Sequence, residues 1–254
     1  MPAERLARYL DRIGYGGNPA PDVETLRALL HAHFLHVPFE NLDIQRGVPI
    51  VVDLAANYEK LVARRRGGWC LELNGLLAWA LREMDFRVDI LGARVMAPSG
   101  ALGDPLTHMT LLVHLDEPWI ADVGFGGGRM RAPLRLAERE PQPSGAWSYT
   151  VANDGDHWFV SVHDPWLSAT APRTYLFTLE PRQLSDFDGA CHWLQTSPRS
   201  SFTLGDVVSL GRENGRVTYS QGRLIVAEGD KRTESEVPAD EVTGMLEREF
   251  GIHL

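Results

Sequence analysis

The sequence predicts an α+β protein built in three successive parts: an N-terminal helical bundle, a central antiparallel β-barrel or sheet, and a C-terminal α/β lid. Three observations predict it. Through the first 85 residues apolar side chains recur every three or four positions, the period of helices with one face on a core. From Phe86 the period falls to two, with Val88, Ile90 and Gly92 followed by Ala93, Val95 and Met96. The last third mixes short alternating runs with helical stripes. The parts divide at 1–85, carrying a candidate nucleophile; 86–185, carrying its candidate partners; and 186–254, the lid.

Taken in order, Leu6, Tyr9, Leu10 and Ile13 form a short helical stripe that stops near Gly14. Asp22 is placed to cap a second helix through Leu26, Leu29, Leu30 and Phe34. Residues 36–52 read as irregular, broken by Pro38 and Pro49. Asp53 caps a third helix through Leu54, Tyr58 and Leu61. That helix ends in Arg64-Arg65-Arg66, cations that suit a helix C-terminus better than a phosphate clamp. Gly67-Gly68 then opens a fourth helix striped by Leu73, Leu76, Leu77, Ala80, Leu81 and Met84.

The first strand carries an irregularity near Gly92, and 98–105 reads as a loop. Strands around His108 and Asp122 turn back at Asp116-Glu117-Pro118. Shorter strands fall at 147–151, 158–162 and 175–179, with Asn153-Asp154-Gly155-Asp156 as a turn. A short helix at 187–194 precedes strands at 207–210, 217–220 and 224–226. Their connections, Glu213-Asn214-Gly215 and Gln221-Gly222, are hairpin-like. A helix over 239–250, striped by Val242, Met245, Leu246 and Phe250, closes the chain.

A net charge of −9 speaks against a nucleic-acid partner. No stretch approaches the roughly 20 apolar residues of a membrane span. Residues 1–6 are charged and lack an apolar signal core, and two cysteines in a chain of 254 residues suit a reducing compartment. The expectation is a cytoplasmic protein. The histidines show no ligand spacing with Cys or acidic residues, and His31 and His33 do not share a helix face, so no metal is expected.

Cys70 falls in or just before the first turn of the fourth helix, where free backbone N–H groups and the helix dipole favour a thiolate. It shares a stripe with Leu73, Leu77 and Leu81, so its sulfur faces inward. A lone cysteine is more often a small buried hydrophobe, so a reactive thiol needs a base and a group to orient that base. His108, polar within the strand run from Thr107 to Val113, is the best base. Asp122 sits in an apolar strand where an unpaired charge is costly, a cost an imidazolium partner would relieve. With a two-residue loop at Asp116-Glu117, however, His108 falls opposite Phe125 and Asp122 points to the other face. A shared face requires a loop of odd length or a bulge.

Gly124-Phe125-Gly126-Gly127-Gly128 lacks the spacing of a dinucleotide loop and reads as a tight strand exit where glycine lets a ligand approach the backbone. Arg129 and Arg131 are contacts for ligand phosphates or, as isolated arginines more commonly are, simply solvated. Cys191 and His192 are adjacent on one helix and do not face each other, so Cys191 reads as structural.

Arg66-Gly67-Gly68-Trp69-Cys70-Leu71-Glu72-Leu73-Asn74-Gly75, Thr107-His108 and Ala121-Asp122-Val123-Gly124-Phe125-Gly126-Gly127 together resemble the arylamine N-acetyltransferase family, which includes the related macrolactam-forming amide synthases. The likeness extends upstream to His36-Val37-Pro38-Phe39-Glu40-Asn41-Leu42-Asp43. Downstream it takes in Tyr175-Leu176-Phe177-Thr178-Leu179-Glu180-Pro181, Thr196-Ser197-Pro198-Arg199-Ser200-Ser201-Phe202 and Glu249-Phe250-Gly251-Ile252-His253-Leu254. It implies a cysteine-protease-like core with a triad of Cys70, His108 and Asp122. It also implies a substrate and CoA pocket from Phe39, Trp69, Thr107, Gly124, Phe125, Gly126 and Phe202, with Glu40 and Arg66 as a structural ion pair nearby.

The implied chemistry is ping-pong transfer of acetyl from acetyl-CoA, without a metal, to an arylamine, arylhydrazine or hydrazide. Leu71, where an aromatic is expected, and Cys191, where the family often has asparagine, depart from the pattern. An amide synthase using the same triad on a carrier-bound polyketide is the alternative, since the short loop between Phe125 and Trp147 would leave a wide cleft. An acyl carrier protein, under that alternative, and a homo-oligomer stay open as partners.

Overall fold

Capping and periodicity set out the helical start of the chain. The computed structural model describes residues 2–97, 99–126, 129–166 and 172–254; Pro98 of the expected 98–105 loop and Gly127 and Gly128 of the glycine run lie outside them. Helix α1 (Pro2–Ile13) ends at Gly14, whose φ of +72° favours glycine. Helix α2 (Val23–His36) is capped by Asp22, which accepts from the Thr25 N–H at 2.8 Å. The segment expected to be irregular holds a two-residue strand, β1 (Phe39–Glu40), and one helical turn, α3 (Leu42–Gln45). Helix α4 (Leu54–Tyr58), capped by Asp53, runs on into a π turn over Glu59–Ala63, where Lys60 is buried.

Helix α5 (Cys70–Glu83) is the axis of this part. Its expected apolar stripe is there, with Leu73, Leu77, Ala80 and Leu81 at 0 % exposure, but Leu71, Glu72, Asn74, Gly75 and Ala78 on its other faces are buried too. The reason is its place: α1 and α4 pack on one side and the central sheet on the other. A helix covered all round needs partners for its polar residues, and those partners build the site.

The central sheet has eight antiparallel strands: β2 (Arg87–Val95), β3 (His108–His114), β4 (Pro118–Ala121), β5 (Leu134–Arg135), β6 (Gln142–Ser144), β7 (Trp147–Asp154), β8 (His157–His163) and β9 (Arg173–Arg182). Their spatial order is β5-β4-β3-β2-β9-β8-β7-β6. The two edges meet, because the Gln142 side chain accepts from the Arg135 N–H at 2.8 Å and donates to its carbonyl at 3.0 Å. That pair substitutes for ladder bonds and nearly closes the sheet into a barrel. The irregularity expected near Gly92 is a register shift between Leu91 and Ala93, where a Cβ on Gly92 would lie 2.2 Å from the Leu106 side chain.

After a 3₁₀ turn at Leu184–Phe187 and helix α6 (Asp188–Thr196), a second sheet forms from β10 (Val207–Arg212), β11 (Gly215–Ser220), β12 (Arg223–Glu228) and β13 (Lys231–Glu236). Two-residue loops at Glu213-Asn214 and Gln221-Gly222 join the first three. β1 completes the sheet by pairing with β10, so the strand ahead of α5 is sewn to the C-terminal part. Helix α7 (Val242–Phe250) buries Met245, Leu246 and Phe250 against Val208 and Val217. β13 has no apolar alternation, since all six of its residues are exposed; only pairing with β12 makes it a strand.

Candidate active site

Cys70 is the first residue of α5, and the glycines before it let the chain enter tightly. A Cβ on Gly67 would lie 2.3 Å from the Pro38 carbonyl, and Gly68 bridges Phe39 in parallel. The Trp69 N–H donates to Glu72 Oε2 at 3.1 Å, the carboxylate half of a capping box. Cys70 is only 3 % exposed, yet its thiol stands on the floor of a cleft of about 840 Å³.

The β3–β4 ladder pairs Leu111 with Ala121 and His114 with Pro118, leaving three residues, 115–117, in the turn. This is the odd-length loop that the shared face demands; a two-residue turn does not occur. Asp122, just past the end of β4, therefore lies on the His108 face, with His108 Nε2 2.6 Å from Asp122 Oδ2. The pair is fully buried, and Nδ1 remains the ring nitrogen for the Cys70 sulfur. The thiol also approaches the Thr107 carbonyl at 3.7 Å.

Burial acts to lower the His108 pKa, but the Asp122 charge and hydrogen bond, joined by those of Cys70, outweigh it and push the imidazole up to about 10. The favoured form at neutral pH is the imidazolium, which stabilises a neighbouring thiolate.

Two residues outside the expected site set hold this pair. Asn74, one turn beyond Cys70, donates to Asp122 Oδ1 at 2.9 Å and to the Met109 carbonyl at 2.6 Å, and accepts from the Val123 N–H at 2.9 Å. The Gly124 N–H also donates to Asp122 Oδ1, at 2.8 Å. Tyr175 lays its ring 4.8 Å from that of His108 and joins Thr110 and Asp122 through its hydroxyl. An asparagine at i+4 from a candidate nucleophile, inside an otherwise apolar helix, is the signal that points to Asn74.

Of the expected pocket residues, Phe39, Thr107, Gly124, Phe125, Gly126 and Phe202 line the cleft. Trp69 does not: it is fully buried behind the wall, with its ring edge-on to Phe202 at 5.4 Å. Gly124 must be glycine, because a Cβ there would lie 2.6 Å from Cys70 Cα. Phe125 is a wall residue, 5.1 Å from the His108 ring.

Arg129 is neither solvated nor turned to the cleft. It is 2 % exposed and donates to the carbonyls of Val37, Phe34 and Ser209, joining α2 to β10. Arg131 donates to the Glu213 carbonyl and carboxylate instead. The Cys191 thiol donates to the Ile50 carbonyl at 3.4 Å, and burial pushes its pKa up to about 12, which keeps it protonated.

Glu40 and Arg66 meet at 2.7 Å, as one pair in a larger buried cluster. Arg66 also bonds Asp43 at 3.0 Å, while Lys60 reaches Asp43 at 2.8 Å and Glu72 at 3.0 Å. Three carboxylates face two cations. Burial, only partly offset by Lys60, pushes the Glu72 carboxyl up to about 7. Arg66, three residues beyond the helical turn that stops at Ala63, thus serves this cluster and not the helix end expected for it. Among the described residues, no group of three or more His, Cys, Asp or Glu is placed to hold a metal, and no helix is long and apolar enough to cross a membrane.

Known proteins with this arrangement are plentiful. A profile of an N-acetyltransferase family matches residues 22–254. The arylamine N-acetyltransferase of Mycolicibacterium smegmatis is 36% identical over 261 residues, covering 98% of this chain and 92% of its own. The solved structure of the arylamine N-acetyltransferase from Salmonella typhimurium superposes with a TM-score of 0.91 at 34% identity, over 98% of this chain and 91% of that one. A Mycobacterium marinum arylamine N-acetyltransferase in complex with CoA superposes with a TM-score of 0.87 at 33% identity, over 97% and 92% of the two chains. With its cysteine at the head of a buried helix and its histidine–aspartate pair on the adjoining strands, the chain belongs to the arylamine N-acetyltransferase family.

Proposed function

We propose that this protein transfers an acetyl group from acetyl-CoA, through acetyl-Cys70, to the nitrogen of an arylamine, arylhydrazine or hydrazide. The observation that carries the reading is Cys70 on the cleft floor beside an imidazole that Asp122 grips at 2.6 Å. The Cys70 thiolate attacks the thioester carbonyl, and the backbone N–H groups of the first turn of α5, which have no acceptor within the helix, stabilise the oxyanion. The C–S bond to CoA breaks, and the CoA thiolate takes the His108 proton. The amine then attacks acetyl-Cys70, His108 accepts the amine proton, and the Cys70 thiolate leaves. Asp122 holds the ring, and Asn74 holds Asp122.

The macrolactam-forming alternative is not favoured, because relatives at 36% and 40% identity over nearly the whole chain are arylamine N-acetyltransferases. A cytoplasmic setting, supported by two free thiols, and a division at 85/86 and 185/186 complete the proposal. Intact-mass analysis after mixing with acetyl-CoA tests it. One acetyl should appear on the wild type and none on Cys70→Ala, and 4-methoxyaniline should remove it as the amide. A wild type that stays unacetylated refutes the reaction.

A further inference from the structure

We propose that Asn41, seconded by Gln45, is a positioning residue for acyl transfer: it clamps the turn at 201–205 and so fixes the Phe202 wall of the Cys70 cleft. The inference deepens the transfer reaction proposed above and rests on it. Asn41 lies between β1 and α3 and is 0 % exposed. Its backbone N–H donates to the Val207 carbonyl at 3.3 Å, carrying the β1–β10 ladder one residue further. Its side chain turns onto the chain just ahead of β10. Nδ2 donates to the carbonyls of Phe202 at 3.0 Å and Gly205 at 2.9 Å, and Oδ1 accepts from the Val207 N–H at 2.6 Å. Two carbonyls and one N–H call for two donors and an acceptor on one short side chain, the inventory of an asparagine; a carboxylate of the same shape would face both carbonyls with no proton to give. Gln45, one turn along α3, adds a second donor to the Phe202 carbonyl at 3.2 Å.

Packing grips the clamped segment weakly. It holds a single 3₁₀ turn over Ser201–Thr203, Leu204 after it is 73 % exposed, and a Cβ on Gly205 would meet nothing within 4 Å. Ser200 ties its start, accepting from the Phe202 N–H at 3.3 Å and donating to the Leu194 carbonyl at 2.6 Å. Asn41 ties its end. The Phe202 ring stands 6.2 Å from that of Phe39, and both rings line the cleft with Cys70. Phe39 is two residues ahead of Asn41, so one short stretch of chain places both aromatic walls. Removing the amide strips three backbone groups of their partner and lets the turn relax toward solvent, taking Phe202 with it. The triad stands on α5 and beside β3 and β4, whereas these bonds run to the C-terminal part, so the nucleophile itself keeps its setting.

A double-mutant cycle on Asn41 and Phe202, read separately in the two half-reactions, tests the clamp. Phe202→Ala shows which half-reaction the wall serves. Asn41→Ala should raise the half-saturating substrate concentration in that same half-reaction about 5- to 20-fold. The limiting rate should stay within about threefold, and alkylation of Cys70 by iodoacetamide within about twofold. In the Phe202→Ala background the Asn41→Ala effect should shrink to within about twofold, because the wall it positions is gone. Gln45→Ala, a surface change, should give the same pattern at about two- to threefold and serves if Asn41→Ala does not fold. Amide hydrogen exchange should speed up across 200–207 and stay unchanged across 70–83.

Additive effects in the cycle overturn the proposal, as does a fall in limiting rate or in Cys70 alkylation with half-saturation unchanged. So does a loss confined to the half-reaction that Phe202→Ala spares, or a Phe202→Ala variant that is normal in both. Should wild type form no acetyl-enzyme, the transfer reaction itself fails. Exchange at 200–207 then decides the clamp, and equal protection in wild type and variants overturns it.

Discussion

Asn74 Nδ2 stands 2.9 Å from Asp122 Oδ1, one helical turn along α5 from Cys70. One side chain thereby ties the nucleophile's helix to the carboxylate that orients the base, and through Met109 and Val123 to both adjoining strand segments. Asn74→Ala should lower kcat about 10- to 100-fold by freeing Asp122, and should cost about 2–3 kcal/mol for the buried partners left unmet. Stopped-flow acetylation and urea denaturation read the two effects. A variant with normal kcat would show that Asp122 is held without it.

His108 titrates abnormally high, and the sign follows from its partners. With its pKa raised from 6.5 to about 10, its contribution to stability is fully present below pH 6.5 and is lost as pH rises through about 10. The imidazolium therefore persists across neutral pH, beside the Cys70 sulfur. Alkylation of Cys70 by iodoacetamide should be nearly flat between about pH 6 and 9. Asp122→Asn removes the leading cause that raises the pKa while burial stays. The flat profile should then collapse, with the alkylation rate at pH 7 falling about 100-fold or more. An unchanged profile would contradict the pairing.

Cys191 supplies the internal control. Its thiol, held protonated by burial, should alkylate far more slowly than Cys70 at pH 7. Peptide mapping of the labelled protein distinguishes the two, and equal labelling would remove the case for a specially activated Cys70.

Lys60 binds two carboxylates in the cluster beneath α5, so Lys60→Met leaves three acids facing Arg66 alone. The expected cost is about 3–5 kcal/mol at pH 7, diminishing toward pH 5 as the surplus acids protonate. Glu72, raised from 4.5 to about 7, binds more protons folded than unfolded across that interval, so its contribution falls as pH rises through it. Glu72→Gln should flatten the stability profile between about pH 5 and 7. Denaturation midpoints over that range test both variants.

Gly124 leaves no room for a methyl group. Gly124→Ala would press against Cys70 Cα and against Asn74 Nδ2, 2.8 Å from the added carbon. It should cost about 1–3 kcal/mol and most of the activity, since it displaces the nucleophile and its brace together. Full activity in this variant would mean that α5 shifts freely.

Local chemistry made much of the fold legible. Asp22 and Asp53 cap the helices they precede, and Gly92 marks the register shift. Cys70, His108 and Asp122 were each identifiable as a polar residue in a setting that needs a reason. Short strands were not legible. β1, β5 and β6 have two or three residues each, too few to show a period. β13, wholly exposed, is defined by its neighbour and not by its own residues.

Register and partnership lay outside the sequence's reach. Nothing in the residues at 115–118 chooses between two and three turn positions, yet that choice sets which face Asp122 shares. The roles of Arg129, Lys60 and Trp69 likewise depend on contacts across long stretches of chain, since a charge is solvated, paired or buried according to what the fold brings against it. By itself the sequence determined the order of helices and strands and the chemical kind of the site, because capping, periodicity and residue type act over a few residues. Only the tertiary structure decided which face each strand presents, which charges meet and where the cleft lies, because those are settled by packing between segments far apart in the chain.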